Sequence, residues 1–231
     1  MIKGITFDFG GTIATGALQK AAFQKALQEY LNSLGYAGGP TKLTNVRREM
    51  LKTLRRVRSQ NREMRFEDMY TGVLCSLGMH PEIPVINHIH QLYIRSFKTA
   101  FIPGVEHVFK RLKKRFSLAI ISNSMSKVAR YTLKQAGLNV YFDAIVISRD
   151  IGMRKPHPEI FNYALTNLGI KNRNAMHVGD SLEQDVQGAK NAGMKAIWVK
   201  GREENVHIKP DYTINSLEEL PVLLEAPEPS K

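Results

Sequence analysis

The stretch "FDFGGTI", residues 7–13, decides how this chain is read. An apolar strand pattern, "IKGITFD" (2–8), ends in a carboxylate, Asp8, and runs straight into a Gly-Gly turn. In an open parallel sheet, ligands collect beyond the carboxyl ends of the strands, near a switch in strand order. An acid in that place is a candidate for chemistry. A single acid at a strand end is more often a turn or helix-capping residue, so the rest of the chain must decide.

Working outward, the second half of the chain repeats short β-rich runs: "SLAIIS" (117–122), "AIVIS" (144–148), "AMHVG" (175–179) and "KAIWV" (195–199). Segments of helical period lie between them, at 125–136, 157–168 and 183–191. Parallel neighbours need crossovers of a dozen residues or more, so the alternation predicts an α/β fold: a Rossmann-like parallel sheet with helices on both faces. Residues 14–100 break the rhythm. They show helical stretches separated by "GYAGGP" (35–40) and "GMHPEIP" (78–84) and no convincing strand, which predicts an all-helical unit inserted into the core. Met50, Leu51, Leu54 and Val57 fall on one face of a helix there. The expected division is a core of residues 1–13 and 101–231 with a helical cap over 14–100, and a frayed tail "EAPEPSK" (225–231).

Composition bounds the possibilities. At 231 residues, with 43% hydrophobic and 23% charged residues, the chain resembles an ordinary globular protein. No apolar run approaches the roughly eighteen residues of a membrane helix. The single cysteine, Cys75, allows no internal disulfide, and the N-terminus reads directly as a strand, so a cytoplasmic setting is expected. Cys75 sits among apolar neighbours and reads as packed. A net charge of +12 favours anionic partners, and much of it is concentrated in residues 47–65. No aromatic platform interleaves those arginines, which makes nucleic acid a poor partner.

Four polar clusters fall at predicted strand ends: Asp8, then Ser122 and Asn123, then Lys155 in the loop after "AIVIS", then Asp180. Two carboxylates meeting at strand ends repel unless a cation lies between them, and magnesium suits a few carboxylates together with phosphate oxygens. A hydroxyl, an amide and an ammonium remain to hold an anion's oxygens. The set describes a phosphoryl-transfer site. Each member alone has a plain alternative as a turn, cap or surface residue; His157, after Lys155-Pro156, reads as a helix start. His88 and His90, two apart, point to different helical faces.

In that order the motifs resemble those of the haloacid dehalogenase (HAD) superfamily: "FDFGGTI", "IISNS", "GMRKPHPEIF" and "HVGDSLEQDVQGAKNAG". The resemblance implies a magnesium-dependent phosphatase working through an aspartyl phosphate on a small phosphorylated metabolite. It implies Asp8 as nucleophile and metal ligand, with Asp180 and the Gly10 carbonyl as further ligands and Asp185 ordering the metal's outer shell. Ser122 and Asn123 would hold the phosphate, Lys155 would neutralise nucleophile and phosphate, and Thr12 would support the first turn next to the substrate.

One position departs from the pattern. Related phosphatases carry a second Asp two residues after the nucleophile as acid and base, and this chain has Gly10. A positioned acid or base is typically worth about 10² to 10⁴ in rate, so slow turnover is implied. Phosphonoacetaldehyde hydrolases resemble the chain in having a small residue there and use a cap lysine; Lys52 would be the counterpart. A basic anion- or nucleic-acid-binding protein that kept the fold and lost its chemistry, using the arginine-rich segment 47–65, is the third reading. Family dehalogenases have a tyrosine at that position and work without metal, which argues against dehalogenation.

Overall fold

The computed structural model describes residues 1–201 and 207–225; the tail from residue 226 onward lies outside them. In chain order the elements are β1 (Gly4–Phe7), β2 (Ala14–Leu18), α1 (Lys20–Ser33), α2 (Pro40–Arg58), α3 (Phe66–Ser76), α4 (Ile83–Arg95) and β3 (Phe97–Phe101). Then follow α5 (Val105–Leu112), β4 (Ser117–Ser122), α6 (Val128–Gln135), β5 (Ala144–Ile147), α7 (Ser148–Ile151) and α8 (Pro158–Leu168). The chain continues through β6 (Ala175–Gly179), α9 (Gly188–Asn191), β7 (Lys195–Val199), β8 (Tyr212–Ile214) and α10 (Leu220–Glu225).

Six strands form one parallel sheet in the order β5-β4-β1-β6-β7-β8. The chain builds outward from β1 through β4 to β5, then returns to lay β6 on the other side of β1. The switch in direction therefore falls at β1, and the crevice beyond its carboxyl end is where Asp8 stands. Strand alternation sorts the core into two layers. Ile5, Phe7, Leu118, Ile120, Met176 and Val178 pack on one face, against helices that include α5, α6 and α10. Ile121, Ala175 and Ala196 pack on the other, against α8 and α9. The sheet with helices on both faces is the architecture the alternation predicts.

The chain around β6 shows how a helix is aimed at the site. The predicted helix 183–191 begins as a π-helical turn, Leu182–Gln187, before continuing as α9. Ser181 caps it by accepting from the Gln184 N–H. His157 does begin a helix: its Nδ1 accepts from the Glu159 N–H at the start of α8.

The insert differs from its prediction at both ends. β2 and β3 pair antiparallel, with Ala14 opposite Phe101 and Leu18 opposite Phe97, so residues 14–100 do contain strand. "ATGAL" carries no strand signal of its own; it is strand because β3 returns beside it, and Gly16 lets the two backbones approach, since a Cβ there would lie 2.3 Å from the Lys98 carbonyl oxygen. This ribbon leads into and out of four helices. Phe23, Leu27, Leu43, Leu54, Phe66 and Tyr70 form their apolar centre, with Met50 and Leu51 packed against it. Met125, from the loop after β4, is buried in that same cluster, and its carbonyl accepts from the Phe66 N–H at 2.9 Å.

Cys75 is exposed, which corrects the expectation that it is packed. On α3 the buried positions are 66, 69, 70, 73 and 74, and position 75 falls off that face. Among the described residues no helix is long and apolar enough to cross a membrane.

Candidate active site

β1 carries its side chains alternately, so Thr6 and Asp8 share the face opposite to Ile5 and Phe7. Asp8 is buried, and its backbone N–H donates to the Val178 carbonyl at 2.9 Å, which ties the residue to the end of β6. Thr6 lies beside His177 in the β1–β6 register, and its hydroxyl is 2.7 Å from His177 Nδ1. The other ring nitrogen, Nε2, is 3.0 Å from Asp185 Oδ1. The Lys155 ammonium is buried and donates to Asp8 Oδ1 and to Asp185 Oδ1, each at 2.6 Å. Asp185 Oδ2 accepts from the Ser181 N–H at 3.0 Å. Thr6, His177, Asp185, Lys155 and Asp8 thus form one continuous buried chain.

Charge follows from these contacts. Burial pushes the Asp8 carboxyl up to about 7, because Lys155 only partly offsets desolvation and the neighbouring Asp185 and Asp180 add to it. Burial acts in the same direction on Asp185, but Lys155 and His177 outweigh it and hold that carboxyl well below the usual range. Burial lowers the Lys155 pKa, yet Asp185 and Asp8 together raise it above its ordinary value. Burial also lowers the His177 pKa, although Asp185 opposes the shift. Asp180 is raised, by burial first and Asp185 second.

Asp8, Asp180 and Asp185 can each offer an oxygen within 4.8 Å of the others. Asp8 Oδ2 is buried without a hydrogen-bond partner. A buried anionic oxygen in that condition costs free energy unless a cation meets it, so the donor set fits a hard divalent ion. Both Asp185 oxygens already accept hydrogen bonds, which suits it to an indirect part. Asp180 Oδ1 accepts from the Thr12 hydroxyl at 3.3 Å.

The two glycines of the opening motif prove unlike. Gly11 has φ +93°, and a Cβ on it would lie 2.2 Å from Asp180 Oδ2, so only glycine lets the turn pass beneath that carboxylate. A Cβ on Gly10 would meet nothing within 4 Å. Space for a side chain exists there.

A cavity of 260 Å³ opens in front of Asp8, walled on the core side by Ser122 and Asn123 and on the other by Tyr93 and Phe97. The Asn123 side chain is fully engaged: its Oδ1 accepts from the Lys155 N–H at 2.8 Å, and its Nδ2 donates to the Lys155 carbonyl and to Gln184 Oε1, each at 2.9 Å. It braces the loop that carries Lys155. Thr12 is buried beneath Asp180 and is not among the cavity's lining residues. Lys52 is exposed on α2 and paired with Glu49 at 2.9 Å, away from the cavity. His88 stacks on Tyr30 and His90 on Phe66, so the two do not face each other.

Three contributors were not foreseen. His177 and Thr6 were detectable as a polar pair inside otherwise apolar strands. Arg154, immediately before Lys155, lines the cavity, and nothing in the sequence distinguishes it from a surface arginine.

The comparisons with known proteins agree with this geometry. A family profile for haloacid dehalogenase-like hydrolases matches residues 5–199. A glyceraldehyde 3-phosphate phosphatase of Methanocaldococcus jannaschii is 27% identical over 228 residues, covering 95% of this chain and 96% of that protein. The pyrimidine 5'-nucleotidase YjjG of Escherichia coli is 36% identical over 126 residues, covering 53% of this chain and 56% of that protein, a little over half its length. Among solved structures, a 2-haloacid dehalogenase from Pseudomonas syringae superposes with a TM-score of 0.76 at 26% identity, over 97% of this chain and 98% of that one. With a profile that spans most of the chain and a sheet of the same kind, this protein belongs to the haloacid dehalogenase-like hydrolase family.

Proposed function

We propose that this hydrolase is a magnesium-dependent phosphatase that acts on a small phosphorylated metabolite through an aspartyl phosphate formed on Asp8, in the cytoplasm. The observation that carries the reading is the state of Asp8: one oxygen held by a buried ammonium, the other buried and unmet, at the wall of a cavity of metabolite size. The three clustered carboxylates and the phosphatase relative aligned along nearly the whole chain support it.

Asp8, Asp180 and the Gly10 carbonyl would hold the ion, with Asp185 beyond them. When bound, magnesium spreads the charge of the transferring group and offsets the repulsion among the carboxylates. Lys155 orients Asp8 and keeps a positive charge against it. In the first step an Asp8 oxygen bonds to phosphorus, the P–O bond to the substrate breaks, and the departing oxygen leaves with the bonding pair. Water then hydrolyses the acyl phosphate, releasing inorganic phosphate and restoring Asp8. With Gly10 at the acid/base position, no side chain from that turn protonates the departing oxygen, so leaving groups that need no proton are favoured.

The test is turnover of p-nitrophenyl phosphate with magnesium and with EDTA. Activity should depend on magnesium and fall by about 10⁴ or more in Asp8→Asn. Equal turnover by wild type and Asp8→Asn would overturn the proposal. Because a Cβ at Gly10 has room, Gly10→Asp should accelerate hydrolysis of an alkyl phosphate by about 10², the usual worth of a positioned acid.

A further inference from the structure

Arg154 stands next to the lysine that grips Asp8, but it behaves differently. Its backbone N–H donates to the Asn61 carbonyl at 3.0 Å, and Arg62 and Met153 form an antiparallel bridge beside it, so its backbone is fixed against the insert. Its side chain lines the cavity in front of Asp8 and also a neighbouring groove of 280 Å³ that contains Arg58. Arg154 makes no ion pair among the described residues. Glu183, exposed in the same groove, does not approach it within ion-pair distance. Glu63 is buried, but its oxygens are taken by Arg58 Nε at 2.9 Å, the Met64 N–H at 3.3 Å and the Ser148 hydroxyl at 3.0 Å.

A guanidinium half-withdrawn from water with no counter-ion is costly. Burial lowers the Arg154 pKa and the nearby Arg58 charge lowers it further, with Glu63 offsetting only part. On the cavity wall, burial raises the Tyr93 pKa while the charges of Arg58 and Arg47 pull it down, so both act on that wall too. Arg47 Nε is itself buried without a partner. Asp8 is the only carboxylate among the described residues that line the cavity, and its charge is matched by Lys155 and the proposed metal. The cavity wall therefore holds, in Arg154, a positive charge that no ion pair among the described residues neutralises, while the neighbouring Arg58 is matched by Glu63.

We infer that the substrate carries a second anionic group besides its phosphate, and that Arg154, supported by Arg58, binds that group and sets specificity. The inference rests on the phosphatase reading for the placement of the phosphate at Asp8. It names the substrate class as small phosphomonoesters bearing a carboxylate or a second phosphate. Arg154 suits either, because its planar fork of donors matches both.

Binding of non-hydrolysable probes separates the inference from the reading beneath it. Calorimetric titration in magnesium should show phosphonoacetate and methylenebisphosphonate binding about tenfold or more tighter than methylphosphonate, the size of one charge-assisted contact. The stronger of the two probes identifies the second group. Arg154→Gln should remove most of that preference and Arg58→Gln a smaller part. Should Arg154→Gln not fold, Arg154→Lys serves: it keeps the charge, loses the fork, and should still cut the preference by about threefold. Equal wild-type affinity for all three probes would overturn the inference, as would an Arg154 variant that weakens all three by one factor. A protein that keeps the preference but shows no metal-dependent turnover would retain the anion site and refute the phosphatase reading. Turnover without the preference would do the reverse.

Discussion

At the ends of β1 and β6, Lys155 stands 2.6 Å from both Asp8 and Asp185, and one Asp8 oxygen is left with no partner. Along the seam between the helical insert and the core, Glu63 and Glu67 do the reverse. Glu63 has donors on both oxygens. Glu67 has Arg149 Nη2 at 2.8 Å on one oxygen and His90 Nδ1 at 3.2 Å on the other. His90 also accepts from the Lys127 N–H through Nε2, so its Nδ1 carries the proton. Both clusters are buried acid–base networks, and they differ in completeness. A finished network holds two parts of a protein together; an unfinished one keeps free energy available for a ligand.

The largest expected effect breaks the unfinished cluster. Lys155→Met leaves Asp8 and Asp185 without their shared cation and should cost about 3–5 kcal/mol, the usual penalty for breaking a buried pair. At this chain length that is a fall in Tm of about 10 °C. Saturating magnesium, added at about 100 times its Kd, should restore about 2.7 kcal/mol. A loss no larger than that of the next variant would erase the contrast.

That next variant is Arg149→Met, which leaves Glu67 with His90 alone. We expect a loss of about 2 kcal/mol, read by calorimetry and unchanged by magnesium. A magnesium-dependent loss would show that seam and site are one system.

The smallest effect is one of sign. In EDTA, Asp8 holds its proton up to about 7 against 3.8 for the free acid, so between those values the folded protein binds more protons than the unfolded. Its contribution to stability is therefore full at low pH and lost as pH rises through 7. His90 runs the other way: burial lowers it from 6.5 to about 4, although Glu67 opposes the shift, so its contribution is present above 6.5 and lost as pH falls toward 4. Chemical denaturation from pH 4 to 8 should show Asp8→Asn flattening the first slope and His90→Gln the second. Slopes of the same sign would count against the assignment of charge in both clusters.

The parts of the molecule legible in the sequence are those whose signal is local. β1, β4 and β6 are apolar runs, and the polar residues at their ends, Asp8, Ser122 and Asp180, stand out against them. The β2–β3 ribbon was not legible because "ATGAL" becomes a strand only by finding "FKTAF" more than eighty residues later. β8, three residues long, pairs with β7 and leaves too short a pattern to read. Arg154 was missed for a related reason: whether an arginine faces a cavity depends on where the α2–α3 loop docks, and that contact is formed by backbone groups any sequence possesses. His177 is the instructive miss. A histidine directly beside a threonine across two buried strands has to satisfy its ring nitrogens, and the search for partners leads to Asp185.

Met125 adds a constraint on movement. Its side chain belongs to the core's loop by sequence and to the helical bundle by packing. Swinging the bundle away on that flank would draw a thioether into water, at a cost of about 1.5–3 kcal/mol. The flank is thus anchored, whereas the two-stranded ribbon meets the cavity itself, through Ala14, Thr15, Phe97 and Thr99.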